Sequence, residues 1–283
     1  MTHRRIVSFA NSAVAIESDS VRAQAMIDFL FHDTSADDRI APHVSFRLVP
    51  SESDNLALYR DDVLMLTTND DAQIAEFLLG QVSYHLADKS QGGLVFHAGA
   101  LAWQGQGVLV AGGIGAGKTT LTAWLVSRGL DYLTDEMVFV PNDSNILNAF
   151  VRPLNLKSPS RPVLQPYFDF DAYAQSIYHA PSANLVPSTV LRPSNVLSTP
   201  QLGLILFPQY APNVECEIQL LSKAQTGLGL LQTCLNARNL PDQVLSQAAR
   251  LARVAPAYHF RYSSFGQIDA TVESLLQKMT IVL

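Results

Sequence analysis

Runs of apolar residues along the chain predict a protein built from both helices and strands. Within the first 90 residues, β-branched and apolar segments at 44–49 and 63–67 indicate strands. From Ile74 to His85 apolar residues recur at every third or fourth position, which predicts a helix with one buried stripe. We therefore expect a small N-terminal α+β region over residues 1–90 and a larger domain over residues 91–283.

Two apolar runs separated by a glycine-containing turn predict a β-hairpin near residue 105. The runs lie at 98–103 and 108–111, and the residues between them are Gln, Gly, Gln and Gly. A hairpin gives the second run an antiparallel neighbour. The fold class that we expect is therefore α/β with a mixed sheet, and not the all-parallel sheet of many nucleotide-binding proteins.

The rest of the chain divides into an irregular segment and regular elements. Residues 141–200 are rich in Pro, Ser and Asn, which favours long surface loops on the substrate side, because loops of this length commonly bind or cover a ligand. The other expected strands are at 137–140, 202–207, 216–220 and 258–262, and the other expected helices start near Lys118, Ser222, Pro241 and Ile268. The residues expected to face the core from the Ser222 and Pro241 helices are Leu228, Leu231, Leu235, Val244, Leu245, Ala248 and Leu251.

The segment between the hairpin and the next helix matches the phosphate-binding pattern G-x-x-x-x-G-K-[S/T], the P-loop or Walker A motif. Its glycines allow successive backbone N–H groups to point inward, and the following helix adds the positive end of its dipole. Lys118 is expected to reach the β- and γ-phosphates of ATP, and the Thr119 hydroxyl to coordinate Mg²⁺. The predicted nucleotide-binding residues are Gly112, Gly113, Ile114, Gly115, Ala116, Gly117, Lys118, Thr119 and Thr120. A turn that binds nothing would not account for Lys118, the first charged residue after Lys89.

Two adjacent acids, Asp135 and Glu136, precede the apolar run at 137–140. Phosphoryl transfer needs one carboxylate to hold Mg²⁺ and one to accept the proton of the attacking hydroxyl. Neighbouring residues at a strand end can point to opposite sides, so that each acid can serve one task. The predicted metal ligands are therefore Thr119, Glu136 and Asp135. A solvated strand end is the alternative interpretation of the two acids.

A short run follows the P-loop helix, from Arg128 to Val138: Arg-Gly-Leu-Asp-Tyr-Leu-Thr-Asp-Glu-Met-Val. This run resembles the HPr kinase/phosphorylase family. Members of that family have Arg-Gly, a few residues, two acids and Val at this point. His97-Ala98-Gly99 is similar to the family's His-containing segment before the P-loop. The resemblance implies a phosphoenolpyruvate-carboxykinase-like fold and ATP- and Mg²⁺-dependent phosphorylation of a serine-type hydroxyl. It also implies that Asp135 is the general base, that Glu136 assists the metal and that His97 lies near the phosphates. A packed core position is the alternative for His97.

The segment Arg152-Pro-Leu-Asn-Leu-Lys157 resembles the Arg-Pro-x-x-x-Lys segment of HPr-kinase-related proteins, some of which phosphorylate a serine of a ribosomally made precursor peptide, as in lasso-peptide clusters. The resemblance implies that Arg152 and Lys157 hold the γ-phosphate or an acidic substrate group, with ordinary surface cations as the alternative. The chain departs from the family in Thr119, which stands for Ser, in Glu136, which stands for Asp, and in lacking the glycine-rich downstream signature. Phosphorolysis and the identity of the acceptor are therefore left open.

Charge and composition exclude several other classes. The formal net charge of −6 and the absence of a Lys/Arg run are unlike a nucleic-acid-binding surface. The uncharged stretch between Lys89 and Lys118 contains Gln, His and many glycines, which favours two strands and a loop over a membrane span. The two cysteines lack the spacing of metal ligands, which favours buried thiols. The N-terminus lacks a signal-peptide pattern, so we expect a cytoplasmic protein.

These observations together favour an ATP-dependent kinase that acts on a hydroxyl, with a serine of a peptide or protein as the expected acceptor. The alternatives are a kinase of a sugar, nucleoside or metabolite, and a nucleotide-binding regulatory module. Clustered lid arginines, typical of nucleoside kinases, are missing, since Arg152, Arg161 and Arg192 are scattered. The Asn-Lys-x-Asp pattern of GTPases is missing as well. The likeness to HPr kinases, which assemble as oligomers, implies a homo-oligomer.

Overall fold

Residues 3–34, 36–37 and 39–280 are described by the computed structural model, in which helices are interspersed among runs of two or more strands. The strands are β1 His3–Phe9, β2 Ser12–Ser18, β3 Ser45–Pro50, β4 Leu56–Arg60, β5 Val63–Thr68, β6 Gly93–Trp103, β7 Gln106–Ala111, β8 Asp131–Thr134, β9 Met137–Pro141, β10 Asn148–Ala149, β11 Leu154–Lys157, β12 Tyr178–His179, β13 Ala183–Val186, β14 Gln201–Tyr210, β15 Glu217–Leu220 and β16 Ala257–Tyr262. The helices are α1 Val21–Phe31, α2 Asp71–Lys89, α3 Lys118–Ser127, α4 Arg161–Leu164, α5 Ser188–Leu191, α6 Lys223–Thr233, α7 Val244–Val254 and α8 Asp269–Thr280. The protein is therefore α/β with mixed sheets.

The described residues group into two compact units. Unit 1 comprises Met1–Gly92 with Val151–Val190, and unit 2 comprises Gly93–Phe150 with Leu191–Leu283, in each case as far as the structure describes them. The sequence-based division at residue 90 stays a prediction about domains. It differs from the two units in that 151–190 group with the N-terminal residues.

Unit 1 contains a five-stranded sheet in the order β1-β2-β3-β4-β5, in which β2 and β3 are parallel and the other pairs are antiparallel. The strands predicted at 44–49 and 63–67 are confirmed as β3 and β5. The predicted helix is confirmed as α2, where the Asp70 side chain accepts hydrogen bonds from two N–H groups of the first turn. A second sheet, in the order β11-β13-β12, forms within the segment expected to be loops.

Unit 2 is built on a sheet in the order β10-β9-β6-β7-β14-β16-β15, with β8 also paired to β6. The predicted hairpin is confirmed, since β6 and β7 are antiparallel, with Ala98 opposite Ala111. On its other side β7 is parallel to β14, which is parallel to β16. The mixed sheet expected from the hairpin is therefore present.

Strand β6 is the long central strand of unit 2, and different partners flank its two halves. Its second half pairs with β7 and β8, and its first half pairs with β9. Beyond the point where β7 ends, the buried Asn236 side chain accepts from Val95 N at 2.9 Å and donates to Gly93 O at 2.9 Å. Asn195 pairs in the same way with the N–H and C=O of Tyr132 in β8, at 2.7 and 3.0 Å. Two side-chain amides thus supply hydrogen bonds that a further strand would otherwise make.

Residues of β6 are buried on both faces of the sheet. One face belongs to an apolar core with α6 and α7 that includes Phe96, Ala98, Leu230 and Leu251. On the other face α3 lies so close that a Cβ on Gly99 would stand 2.3 Å from Thr122 Oγ1. Glycine fits this position because the Thr122 side chain of α3 leaves no room for a methyl group on β6.

The structure corrects the predicted buried faces of α6 and α7. Leu228 and Leu245 are 58% and 73% exposed, whereas Leu230 is fully buried. The reason in α6 is Gly229, which faces the Phe207 ring so closely that an added Cβ would lie 2.7 Å from it. This contact turns the glycine-bearing face inward and leaves Leu228 outside. The capping box predicted at the start of α6 is confirmed.

The two thiols also differ from expectation. Both cysteines are free, but Cys216 is exposed and Cys234 is only partly buried. Burial raises the pKa of the Cys234 thiol.

Within the described residues no helix has the length and apolar character needed to cross a membrane.

Candidate active site

The loop between β7 and α3 has the backbone conformation that its glycines permit. Gly112, Gly115 and Gly117 have φ values of 154°, 78° and 94°, which residues with a Cβ rarely adopt. Gly117 is the left-handed residue that precedes α3, and its carbonyl accepts the hydrogen bond of Leu121 N at 2.9 Å. Lys118 and Thr119 therefore stand in the first turn of the helix, where backbone N–H groups point toward the position that a bound anion takes.

Lys118 is buried, and its amine lies across the mouth of the loop. Nζ donates to Gly112 O at 2.9 Å and to Gly113 O at 3.0 Å. Carbonyl oxygens accept these bonds in the place that phosphate oxygens would take on a bound nucleotide. The loop conformation and the position of this amine thus fit a phosphate chain.

Asp135 and Glu136 form the turn between β8 and β9, level with the end of β7 from which the P-loop leaves. Ala98 connects the two features, because it lies opposite Ala111 in β7 and its N–H donates to Glu136 O at 3.1 Å. Adjacent strands are about 4.8 Å apart, so the backbones of Ala111 and Glu136 are separated by roughly 10 Å. The acid pair and the start of the phosphate loop therefore lie at the same level along β6, on its two opposite sides.

The two acids have different surroundings. Asp135 is buried, and its Oδ1 accepts a hydrogen bond from the buried Tyr132 hydroxyl at 3.1 Å. Glu136 is about one-third exposed, and its Oε1 lies 3.9 Å from His97 Nε2. Thr134 stabilises the turn, since its hydroxyl donates to Phe150 O at 2.8 Å and accepts from Glu136 N at 3.3 Å. One carboxylate is thus fixed inside the protein, while the other can reach a ligand in solvent.

The described residues contain no group of three or more side chains arranged to hold a metal ion by themselves. A nucleotide-bound Mg²⁺ does not need such a group, because it usually keeps several waters and takes one or two carboxylates together with phosphate oxygens. Thr119, Glu136 and Asp135 supply hydroxyl and carboxylate oxygens, which are the ligand types that Mg²⁺ takes. This donor set fits the metal.

The cations singled out in the sequence are divided between the two units. Arg152 and Lys157 belong to unit 1, and their assignment to the site stays a prediction. Arg152 is buried, unlike an ordinary surface cation, and Lys157 is exposed at the end of β11. Arg192, in unit 2, donates to Asp131 Oδ1 at 2.9 Å, which gives it a structural ion pair at the edge of β8.

Sequence reasoning did not single out the residues that position the acids and flank the loop. Tyr132 and Thr134 stand within the run that resembles the family, but only the fold shows that they hydrogen bond to Asp135 and to the turn. Tyr210 and Tyr262 follow the loop by about 90 and 140 residues along the chain, and no local pattern marks them. The parallel neighbours of β7 bring both tyrosines to the same sheet edge.

Comparison with solved structures finds a distant similarity at the level of the fold. No protein-family model matches the chain, and no curated protein matches it in sequence. Among solved structures, the chain is similar to the Hpr(Ser) kinase/phosphatase from Coxiella burnetii, with a TM-score of 0.34 and 14% sequence identity. The similarity covers 66% of this chain and 90% of that one.

Proposed function

We propose that this chain is a Mg²⁺-ATP-dependent kinase that phosphorylates a hydroxyl group, with a serine of a peptide or protein as acceptor. The observation that carries the proposal is that the buried Asp135 and the partly exposed Glu136 lie level with the start of the P-loop, one strand of the sheet away from β7. A bare phosphate-binding turn would not need a carboxylate two strands away. An HPr-kinase-like fold type, homo-oligomerisation and a cytoplasmic location belong to the same proposal.

In the proposed reaction, loop N–H groups and the Lys118 amine bind the β- and γ-phosphate oxygens of ATP, and the amine exchanges its carbonyl acceptors for phosphate oxygens. Asp135 accepts the proton of the acceptor hydroxyl while the hydroxyl oxygen attacks the γ-phosphorus in line. The hydrogen bond from Tyr132 holds the Asp135 carboxylate in one orientation. Lys118 stabilises the charge that develops on the transferred phosphoryl oxygens.

When bound with ATP, Mg²⁺ neutralises charge on the β- and γ-phosphate oxygens. The Thr119 hydroxyl and the Glu136 carboxylate would hold it; Asp135 would be a metal ligand only if another group served as the base. His97, 3.9 Å from Glu136, orients that carboxylate and contributes positive charge when protonated. Arg152 and Lys157 are proposed to contact the γ-phosphate or an acidic group of the acceptor.

The test is transfer of label from γ-labelled ATP to serine-containing peptides, with sugars and nucleosides as the small-molecule arm. Lys118→Ala should abolish transfer, whereas Lys278→Ala, an exposed lysine on α8, should leave it unchanged. Undiminished transfer by Lys118→Ala would refute the role of the loop. Hydrolysis of ATP without transfer to any supplied hydroxyl would instead indicate a nucleotide-dependent regulatory module.

A further inference from the structure

A half-exposed aromatic ring lies directly beside the P-loop. Tyr210 is the last residue of β14, and its N–H donates to Ala116 O within the loop at 3.1 Å. A Cβ added to Gly117 would lie 3.2 Å from Tyr210 Cβ, so the tyrosine adjoins the residue that starts α3. Because β14 runs parallel to β7, both strands end at the edge where ligands bind in open α/β sheets.

The Tyr210 ring is supported on its inner side by other aromatic residues. Tyr262, the last residue of β16, meets it edge-on with ring centroids 6.2 Å apart. Tyr262 in turn packs at 6.1 Å against Phe265, which stacks at 4.7 Å and 7° on Trp124 of the P-loop helix. Tyr262 is buried and burial raises the pKa of its hydroxyl, whereas Tyr210 is 48% exposed. The outer ring of this cluster is thus anchored and still open to solvent.

The position of the ring suits the nucleoside end of a nucleotide. In a P-loop the lysine reaches the β- and γ-phosphates while the backbone amides hold the α- and β-phosphates. The nucleoside therefore extends from the loop away from the transferred phosphoryl group. Every base has a π-face, and an anchored aromatic ring binds such a face by stacking at little entropic cost.

We propose that Tyr210 forms the base-binding subsite of this protein by stacking on the nucleobase of the bound triphosphate. The inference rests on the proposed nucleotide binding and adds the residue that distinguishes a nucleotide from a bare phosphate chain. Stacking alone does not select a base, so ATP and GTP should both gain from the ring.

The experiment is calorimetric titration of the full chain with ATP, GTP and inorganic tripolyphosphate in the presence of Mg²⁺. Tyr210→Ala should weaken ATP and GTP binding roughly five- to 150-fold, with tripolyphosphate affinity unchanged. Tyr210→Phe keeps the ring and should bind like the native chain, whereas Tyr210→Leu keeps apolar contact with Tyr262 and should bind like Tyr210→Ala. Tyr84→Ala, which removes an exposed tyrosine of α2, is the matched control and should have no effect.

Three results would overturn the inference. Tyr210→Ala and Tyr210→Leu could both bind ATP as tightly as the native chain, which would exclude stacking. All three ligands could weaken equally in these variants, which would assign the ring to support of the loop and not to the base. Native protein that binds neither ATP nor tripolyphosphate would refute the proposed function itself, and the inference with it.

Discussion

The contact between Gly99 and Thr122 makes the position of the P-loop helix testable. In Gly99→Ala the new Cβ would lie 2.3 Å from Thr122 Oγ1, whereas carbon–oxygen contacts are about 3.3–3.6 Å. Strand β6 and helix α3 must then separate locally by about 1 Å. Overpacking of this kind costs about 1–3 kcal/mol of unfolding free energy, which corresponds to a fall of roughly 2–12 °C in Tm for a domain of this size.

Thr122→Ala is the compensating change. Its hydroxyl is buried and forms no hydrogen bond within the described part of the chain, so its removal deletes an unsatisfied polar atom together with one methyl group. Loss of the unsatisfied hydroxyl stabilises the folded protein, whereas loss of the methyl group destabilises it. We therefore expect the single variant to stay within about 1 kcal/mol of the native stability. In the double variant the nearest remaining atom of residue 122 is Cβ at 3.4 Å, an ordinary contact.

A double-mutant cycle in urea, followed by circular dichroism, measures the coupling. We expect the second change to recover most of the loss caused by Gly99→Ala, with a coupling of about 1–3 kcal/mol. Because α3 carries the P-loop at its start, ATP affinity should fall in Gly99→Ala and recover in the double variant. Additive single effects, or a Gly99→Ala variant as stable as the native chain, would refute the close approach of helix and strand.

Three other predictions concern Asp135 of the acid pair, the side-chain amides that bind strands of the unit 2 sheet, and two histidines of unit 1, His43 and His85. Asp135→Asn should lower phosphoryl transfer about 10²–10⁴-fold with little change in ATP affinity, because the amide keeps the shape but does not accept the proton; transfer assays and calorimetry measure both. Asn236→Ala should cost about 2–4 kcal/mol in urea denaturation, since two buried backbone groups lose their partner. Burial lowers the pKa of His43 and His85 below 6.5 in the folded protein. As the pH falls through 6.5, the unfolded chain therefore binds more protons than the folded chain, and Tm should decrease below this pH.

A further measurement tests the physical reason behind each of these three predictions. Collapse of ATP affinity with altered Mg²⁺ dependence in the Asp135 variant would make Asp135 a metal ligand and not the base. Asn195→Ala removes the same pair of hydrogen bonds at a partly exposed site where water can replace them, so an equal loss in both Asn variants would contradict the burial argument. His85→Gln should flatten the acid limb of the Tm curve; the residues that raise or lower its pKa by charge are Arg60, His43, Asp61 and Lys89. An unchanged acid limb would contradict the assignment.

The sequence predicted elements best where a local pattern coincides with the tertiary demand. The hairpin turn and the helix start at Ser222 are local signals, and each is confirmed. Strands β1, β2 and β4 were not predicted. In β1 the apolar half is preceded by His-Arg-Arg, and β2 consists largely of small residues, so neither shows the β-branched density typical of a strand.

Sequence alone could not decide contacts between distant segments. Alpha-helical spacing in α6 allows Leu228 or Leu230 to face inward, and the choice is made by Phe207, which meets Gly229 from another strand. The backbone conformation of the loop at 112–117 follows from its motif, because its own glycines permit the positive φ angles. The hydrogen bond from Tyr132 to Asp135 and the position of Tyr210 depend on strand order, which no short pattern records.

The continuous path of β6 fixes the distance between the two halves of the candidate site. One strand of eleven residues carries the hydrogen bonds to β7 on one side and to β8 and β9 on the other. The acids therefore cannot slide relative to the loop without several ladder bonds breaking at once. Amides in this strand should exchange with deuterium among the slowest in the protein, and any closure around a substrate has to come from elements outside it.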